Sequence, residues 1–154
     1  MYKVTREFIK RRQPFSEFEV EVVHVKQIGG GALNKCFQNA TDDLLRQDGN
    51  LPVSGWIVFR MDRNTESTAI VQHWWNADAN GRFFDTTPDV TSDVEYVIDV
   101  EICKYGQDNY ERLANLVAVS LEYKNGVFYR VNDKLRRIPC TSFKTASFFE
   151  FNYF

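Results

Sequence analysis

Three residues of this 154-residue chain have the side chains and the order of a thiol-based catalytic site: Cys36, His73 and Asp85. A cysteine becomes a strong nucleophile when a histidine takes its proton, and an acidic residue that orients the imidazole completes the arrangement. Cys36 closely follows Gly29-Gly30-Gly31. Glycines let the backbone approach a ligand, and the N–H groups at a helix start stabilise a thiolate. These residues therefore predict a thiolate nucleophile with a His–Asp partner.

Each of the three residues also has an ordinary structural explanation. A free cysteine is among the most buried residue types, and a histidine in an aromatic strand is a common packing residue. An aspartate before Thr86-Thr87-Pro88 can simply bind the N–H groups of its own turn. The hypothesis of catalysis therefore depends on the three residues together. Cys103 and Cys140, which lack a glycine run or helix start, are expected to be structural, and His24 has no acidic partner at an obvious spacing.

The elements that must position the three residues are a strand, a helix and a group of strands. Alternation of acidic and apolar residues predicts a half-buried strand over 17–28, which the glycines end. Apolar residues at spacings of three and four predict a helix over 32–47, with Cys36 on its apolar face. His73 and Asp85 fall in strands predicted over 68–75 and 82–85, which follow one over 55–60.

Farther along the chain, the patterns predict one more strand, one more helix and a strand-rich tail. The strand covers 94–102, the helix covers 108–123 with Asp108 as its N-cap, and the tail has strand-like pieces over 127–131 and 148–154. No linker or repeat divides the chain. This order of elements predicts a single α+β domain over residues 1–154 with a largely antiparallel sheet.

The register between the strands of His73 and Asp85 decides whether the two side chains can meet. A two-residue turn at Asn80-Gly81 would place Asp85 opposite Asn76, with His73 on the other face of the sheet. A five-residue loop over 77–81 would instead place Asp85 directly opposite His73. The polar composition of this stretch allows the longer loop without requiring it, so both registers remain open.

The overall composition argues against several classes of function. The formal net charge of −2 gives no long-range attraction to nucleic acid or anionic membranes, and the short basic run Lys10-Arg11-Arg12 is expected to be solvated. Three cysteines, an odd number, favour a reducing compartment over a disulfide framework. Since no apolar run resembles a signal peptide or a membrane span, we expect a cytoplasmic protein that does not bind membranes.

No cofactor and no metal are expected. Gly29-Gly30-Gly31 lacks the Gly-Lys-Ser/Thr of a nucleotide-binding loop, and no dinucleotide-binding glycine motif is present. Cys36, His73 and Asp85 lack the compact pair of ligands that anchors most zinc sites. Aromatic residues make up 15% of the chain, which predicts a dense core and an aromatic-lined cleft; the candidates for that cleft are Trp56, Trp74 and Trp75.

Residues 29–88 resemble the core shared by transglutaminase-like and papain-like thiol enzymes. The resemblance lies in Cys36 at a helix start, His73-Trp74-Trp75 on a strand, Gly81 in the turn and Asp85-Thr86-Thr87-Pro88 at the end of the next strand. It implies a papain- or transglutaminase-like core, in which an N-terminal helix carrying the cysteine packs on the sheet. It also implies a Cys–His–Asp triad with an oxyanion donor, for which Gln27 and Gln38 are the candidates.

The function that this resemblance implies is thiol-dependent amide or acyl chemistry on a protein or peptide, by hydrolysis, deamidation or acyl transfer. The alternative is a non-catalytic binding or inhibitory protein on the same fold, which a small aromatic-rich domain without a cofactor motif would also suit. The two differ chemically, because only an enzyme requires a depressed pKa at Cys36. Nothing in the sequence indicates an oligomeric state.

Overall fold

The computed structural model describes residues 1–33, 35–62, 67–88, 90–91, 93–109, 119–132 and 134–149. They form an α+β fold built on a largely antiparallel sheet. The helices are α1 (Lys3–Arg12), α2 (Cys36–Ala40), α3 (Asp43–Gln47), α4 (Val100–Asp108) and α5 (Thr145–Phe149). The strands are β1 (Glu21–Val23), β2 (Val25–Gln27), β3 (Leu51–Asp62), β4 (Ser67–Ala77), β5 (Phe83–Asp85), β6 (Glu95–Ile98), β7 (Ser120–Lys124), β8 (Val127–Val131) and β9 (Arg137–Pro139).

The long hairpin of β3 and β4 forms the centre of the sheet. The strand order is β1-β6-β3-β4-β7-β8-β9, and β5 pairs with the C-terminal end of β4. The pairing of β2 with β5 is parallel, whereas the other pairs are antiparallel. His73 therefore lies in a central strand, and Asp85 ends the short strand beside it.

The two faces of the sheet have different roles. Because side chains alternate along a strand, Trp56 and Ile70 point to one face, where α1, α4 and α5 cover them with Phe8, Ile102 and Phe148. The opposite face carries a smaller apolar cluster, whose buried members are Val25, Trp75 and Tyr96. His73 is two residues from Trp75 and shares this second face, so the candidate site lies away from the main core.

A buried ion pair joins the N-terminal helix to the start of α4. The guanidinium of Arg12 donates to both carboxylate oxygens of Asp99 at 2.8 and 3.1 Å, and both side chains are fully buried. Trp56 Nε1 donates to the same carboxylate at 3.0 Å. The expectation that the basic run of residues 10–12 is solvated is therefore wrong for Arg12, because this carboxylate compensates its buried charge.

In the first half of the chain, the strand and the helix predicted before β3 are longer than the observed elements. The strand expected over 17–28 is the short pair β1 and β2, and Phe18, which lies before this pair, is 44% exposed. The helix expected over 32–47 is divided into α2 and α3 at Thr41 and Asp42. The helix that carries Cys36 is also not the N-terminal helix, since α1 precedes it. Strands β3, β4 and β5 are confirmed, with β3 and β4 longer than predicted.

In the second half, the strand predicted over 94–102 ends at Ile98. Asp99 follows as the N-cap of α4 and accepts a hydrogen bond from the Ile102 N–H at 3.2 Å, which starts a helix where alternation predicted more strand. Cys103 accordingly lies in α4.

The helix predicted over 108–123 falls partly on 110–118, outside the described residues, and its last part is strand β7. Strand β8 is confirmed over 127–131. Residues 148–149 belong to α5 rather than to a strand, and 150–154 are outside the described residues. In the described part of the chain, no helix is both long enough and apolar enough to span a membrane.

Candidate active site

The glycine run ties the segment that leads to Cys36 to the strand that carries Asp85. The N–H groups of Ile28 and Gly29 donate to the Asp85 carbonyl at 2.9 and 3.3 Å, and the Gly31 N–H donates to the Thr86 carbonyl at 2.8 Å. Gly29 and Gly30 have φ angles of +67° and +94°, which a side chain would make unfavourable. The glycines thus serve a tight connection between two parts of the site.

Asn39 fixes the same loop against α2. Its side chain accepts a hydrogen bond from the Ala32 N–H and donates one to the Ala32 carbonyl, both at 2.8 Å. A Cβ atom at Gly31 would lie only 2.6 Å from the Asn39 side chain, so the loop passes too close for any larger residue. Since α2 begins at Cys36, this clamp sets the position of the thiol relative to the loop.

Cys36 lies at an interruption in the pairing along one edge of β4. That edge pairs with β7 up to Val71 and with β5 from Asn76 onward, and α2 packs on β4 in the region between. The backbone N–H of Trp74, which falls in this interval, lies near the Cys36 sulfur and lowers the pKa of the thiol. The Phe37 ring packs edge-on against the Trp74 ring at 4.9 Å, which holds the start of α2 in place.

His73 and Asp85 form a buried hydrogen-bonded pair. His73 Nε2 lies 2.7 Å from Asp85 Oδ2, and the residues are 5% and 1% exposed. The imidazole also lies beside the Cys36 thiol, and the two groups shift each other's pKa. Because Asp85 occupies Nε2, Nδ1 is the ring nitrogen left for the sulfur. The structure thus brings together all three residues predicted from the sequence.

The contact between His73 and Asp85 arises from a register that neither sequence alternative described. Asn76 pairs with Phe84 and Ala77 with Phe83, so the loop covers 78–82 and starts one residue later than the expected five-residue loop. The two-residue turn is therefore wrong, and so is a directly opposite pairing. In the observed register Asp85 is on the same face as His73 and diagonal to it, a separation that these side chains can bridge.

A glycine opposite His73 makes room for the aromatic residues around the imidazole. Gly55 pairs with His73 across the central hairpin, and a Cβ there would lie 2.0 Å from the Val97 carbonyl oxygen and 2.9 Å from the Trp75 ring. The imidazole is stacked on the Trp75 ring at 6.4 Å, and the Tyr96 ring meets it edge-on at 6.0 Å. The side of the histidine away from the sulfur is thus shielded from water.

The pKa shifts of the two central groups support each other. Burial lowers the pKa of His73, but hydrogen bonds to Asp85 and Cys36 and their negative charges raise it from 6.5 to about 9. Burial raises the pKa of the Cys36 thiol, but the His73 hydrogen bond and charge, with the N–H groups of Trp74 and Phe37, bring it below its ordinary 9.0. Both shifts favour a thiolate–imidazolium pair over the neutral pair.

The remaining titratable groups make Cys36 the distinctive thiol. Burial raises the pKa of Asp85, but hydrogen bonds from His73, Thr87 and Tyr96 and the charge of His73 bring it below its ordinary value, so the carboxylate stays ionised. Burial raises the pKa of Cys103 and also that of Cys140, and neither has a histidine beside it. Of the three cysteines, Cys36 alone has its pKa lowered.

A cleft of about 380 Å³ opens beside the candidate site, with Cys36 and His73 in its walls. The tryptophans expected to line it have other positions. Trp56 and Trp75 are 0% exposed, one in the main core and one beneath the imidazole. Trp74 is also buried and packs against α2 and against Gly106 of α4. Among the described residues, the walls of the cleft consist mainly of aliphatic residues, with Phe59 and a few polar side chains, and include none of these tryptophans.

The oxyanion candidates are placed on different sides of the site. Gln27 Nε2 donates to the Thr91 carbonyl at 3.0 Å and contacts the Tyr96 hydroxyl at 3.4 Å, so its amide is engaged beyond Asp85 rather than at the sulfur. Gln38 is exposed on α2. The backbone N–H groups of Phe37 and Trp74 lie near the sulfur and lower the pKa of Cys36.

Tyr96 is a site residue that the sequence analysis missed. Its hydroxyl donates to Asp85 Oδ2 at 2.7 Å, while the Thr87 N–H donates to Oδ1 at 2.9 Å. In the sequence, Tyr96 appeared only as one apolar position of an alternating strand. The available signal was its hydroxyl, since a tyrosine on the buried face of a strand needs a partner for that group.

Among the described residues, no group of three or more His, Cys, Asp or Glu side chains is arranged to hold a metal ion. Cys36, His73 and Asp85 instead interact with one another, with His73 between the thiol and the carboxylate. No family model, curated protein or solved structure matches this chain, so its function must be inferred from the geometry of this site.

Proposed function

We propose that this protein is a thiol enzyme that attacks the acyl carbon of amide or ester bonds in proteins or peptides, with Cys36 as the nucleophile. The observation that carries the proposal is the series Cys36–His73–Asp85, in which one imidazole hydrogen-bonds a buried carboxylate and lies beside the thiol, whose pKa it lowers. A histidine that only packs in a core needs one hydrogen-bond partner and no thiolate. This histidine has the two partners that nucleophilic catalysis requires.

In the first half of the proposed reaction, the thiol proton resides on His73 and the Cys36 thiolate adds to the acyl carbon. The carbonyl electron pair moves to oxygen, and its return expels the amine, which takes its proton from the His73 imidazolium. The product is a thioester on Cys36. Asp85 remains ionised throughout, orients the ring and stabilises its positive charge.

In the second half, His73 removes a proton from the molecule that attacks the thioester. Water as the attacking molecule gives hydrolysis or deamidation, and an amine gives acyl transfer. The Cys36 thiolate is then expelled from the acyl group. It again faces a protonated His73, as at the start of the cycle. The open side of the cleft can admit either nucleophile.

The proposal includes a transglutaminase-like or papain-like core over residues 29–88. In support, Cys36 starts a helix that packs on the sheet, His73 lies on a central strand, and Asp85 ends the strand next to it. The order of these elements is that of the resembling families. The diagonal His73–Asp85 register and the α1 helix before the core are features of this chain's own arrangement.

The direct test is to detect the acyl-enzyme. The protein is mixed with p-nitrophenyl acetate, and the acetyl group is located by peptide mass spectrometry. We expect a burst of nitrophenol equal to the enzyme present and an acetyl group on Cys36 that hydroxylamine removes. Cys103→Ala and Cys140→Ala should behave as wild type. Absence of a Cys36 adduct under conditions that acetylate free cysteine would favour the non-catalytic binding protein instead.

The walls of the cleft indicate which acyl donors the site accepts. Among its described lining residues there is no Asp, Glu, Lys or Arg, and the apolar ones are Leu33, Ile57, Phe59, Val71, Pro88, Val90 and Val94. A charged side chain would be desolvated there without a partner, whereas an apolar one would gain by burial. We therefore expect the substrate to carry a large apolar residue beside the reacting carbonyl.

A negative charge introduced at the rim of the cleft tests this preference. Peptidyl chloromethyl ketones with Leu or Phe beside the reactive carbon should modify Cys36 about tenfold faster than those with Asp. Leu33 is 55% exposed, so Leu33→Glu should leave stability intact and reduce that ratio several-fold. Leu135→Glu, also exposed, is the matched control. An unchanged ratio in Leu33→Glu, with iodoacetamide labelling intact in all variants, would show that this cleft does not select the substrate.

A further inference from the structure

We propose that Tyr96 is a positioning residue for the site, which holds the Asp85 carboxylate toward His73 and is itself oriented by Gln27. The inference rests on the proposed function, because it assigns a fourth and a fifth member to the Cys36–His73–Asp85 series. Neither residue contacts the sulfur. Their effect on catalysis would act through Asp85.

The direction of the hydrogen bonds in this extension is fixed by their chemistry. Gln27 contacts the carbonyl oxygen of Thr91 at 3.0 Å, and a carbonyl only accepts, so the Gln27 atom there is the amide nitrogen. The same nitrogen lies 3.4 Å from the Tyr96 hydroxyl, which must therefore accept from Gln27. The Tyr96 proton is left to donate to Asp85 Oδ2, at 2.7 Å. Donation thus runs from Gln27 to Tyr96 to Asp85.

The geometry explains why a buried carboxylate would need this donor. The Thr87 N–H, two residues along the same chain, fixes Oδ1, and Tyr96 reaches Oδ2 from strand β6. Two donors from different elements hold the plane of the carboxylate, so that Oδ2 keeps a lone pair directed at His73 Nε2 at 2.7 Å. Without Tyr96, only the donor from its own turn would hold the carboxylate against rotation away from the ring.

Tyr96 is itself rigidly placed. It is buried and pairs with Ile57 of β3 and Val23 of β1, and its ring packs edge-on against the Trp75 ring at 5.3 Å. The carbonyl that orients Gln27 belongs to Thr91, a residue of the cleft wall. The series therefore connects the wall of the cleft to the carboxylate of the site through the buried Tyr96.

The test measures titration and catalysis separately. In Tyr96→Phe, the carboxylate loses one donor and becomes a stronger acceptor, so the pKa of His73, followed by ¹⁵N NMR, should rise by about half a unit or more. The rate of Cys36 acylation should fall about tenfold because Asp85 is no longer held. Fluorotyrosine at position 96, with a more acidic phenol and nearly the same shape, should lower the His73 pKa and retain most of the rate.

Tyr123→Phe provides the control, because that ring packs on Phe128 at the other side of the sheet. Gln27→Leu, at an exposed position, should change the His73 titration in the direction of Tyr96→Phe and by less. A His73 titration and an acylation rate equal to wild type in Tyr96→Phe would overturn the inference. Because the titration needs no turnover, it stays decisive if the wild type forms no acyl-enzyme, a result that would reject only the proposed function.

Discussion

At pH 6, iodoacetamide should alkylate Cys36 at least about tenfold faster than Cys103 or Cys140. A thiol with its ordinary pKa of 9.0 is about 0.1% thiolate at that pH, and only the thiolate reacts. The lowered pKa of Cys36 enlarges this fraction, and it does so more than it weakens the nucleophile. The rate at each cysteine is measured against pH by peptide mass spectrometry, which compares three thiols in one sample.

The same experiment in His73→Ala identifies the cause. His73 supplies the largest of the contributions that lower the Cys36 pKa, whereas burial raises it. Removal of His73 should therefore shift the labelling curve of Cys36 to higher pH, toward those of the other two cysteines. His24→Ala, at an exposed histidine, should label as wild type does. A Cys36 curve that is the same in wild type and in His73→Ala would contradict the ion pair, whatever the absolute rates.

The pH at which the curve rises separates reactivity from access. All three cysteines are partly buried, so their maximal rates differ for steric reasons as well as electronic ones. The midpoint of the curve depends on the pKa and not on access. If the midpoint of the Cys36 curve lies at low pH, the result supports the thiolate even when the maximal labelling rate is low. If the midpoint lies at high pH, the result does not support it, even when the maximal rate is high.

The site residues could be predicted from the sequence because short local patterns mark them. Glycines, a helix start and two aromatic strands frame Cys36, His73 and Asp85, and each pattern extends over only a few neighbours. The sheet face of Asp85 relative to His73 was not fixed in this way, because it depends on the register of the hairpin and alternation has a period of two. A shift of one residue in where the loop begins was enough to change a direct pairing into a diagonal one.

What the sequence did not reveal depends on contacts between distant residues. Arg12 meets Asp99 and Tyr96 meets Asp85 only after the sheet has formed. The alternating pattern continues through Asp99 and therefore predicted a strand there. The pattern contains no information about the Arg12 guanidinium, which stabilises the buried Asp99 carboxylate. Gln27 was chosen as an oxyanion candidate by its distance along the chain, whereas its amide is positioned by Thr91 and Tyr96, which lie far from it in sequence.

Replacement of Asp85 by asparagine should have the other large effect, a loss of about 10²- to 10⁴-fold in the rate of acylation. Asparagine keeps the shape of the side chain and can still accept from the Thr87 N–H, but it has no charge to stabilise the imidazolium and can present an N–H to His73. In a Ser-His-Asp triad the same change lowers kcat about 10⁴-fold. The smaller end of the range applies here, because a thiolate needs less help from the base than an alkoxide does.

The change from Asp85 to asparagine should also shift the pH dependence of the site in a definite direction. In wild type, the raised pKa of His73 keeps the imidazolium up to about pH 9. Acylation by a peptide amide, whose leaving amine takes this proton, should therefore decline above that pH, while alkylation, which does not consume it, continues. Asp85→Asn removes the carboxylate that raises this pKa, so the decline should move to lower pH and the alkylation midpoint of Cys36 should move up. Acylation and alkylation are followed from pH 5 to 10 in wild type and variant.

Two comparisons complete the argument for Asp85. Asp48→Asn, at an exposed turn, should leave both profiles unchanged. Asp85→Ala should lose less than Cys36→Ala or His73→Ala, because the sulfur and the ring remain and only their alignment and charge balance are weakened. If Asp85→Asn kept both the wild-type rate and the wild-type decline near pH 9, the carboxylate would be a structural cap for the Thr87 turn, and the site would reduce to a Cys36–His73 pair.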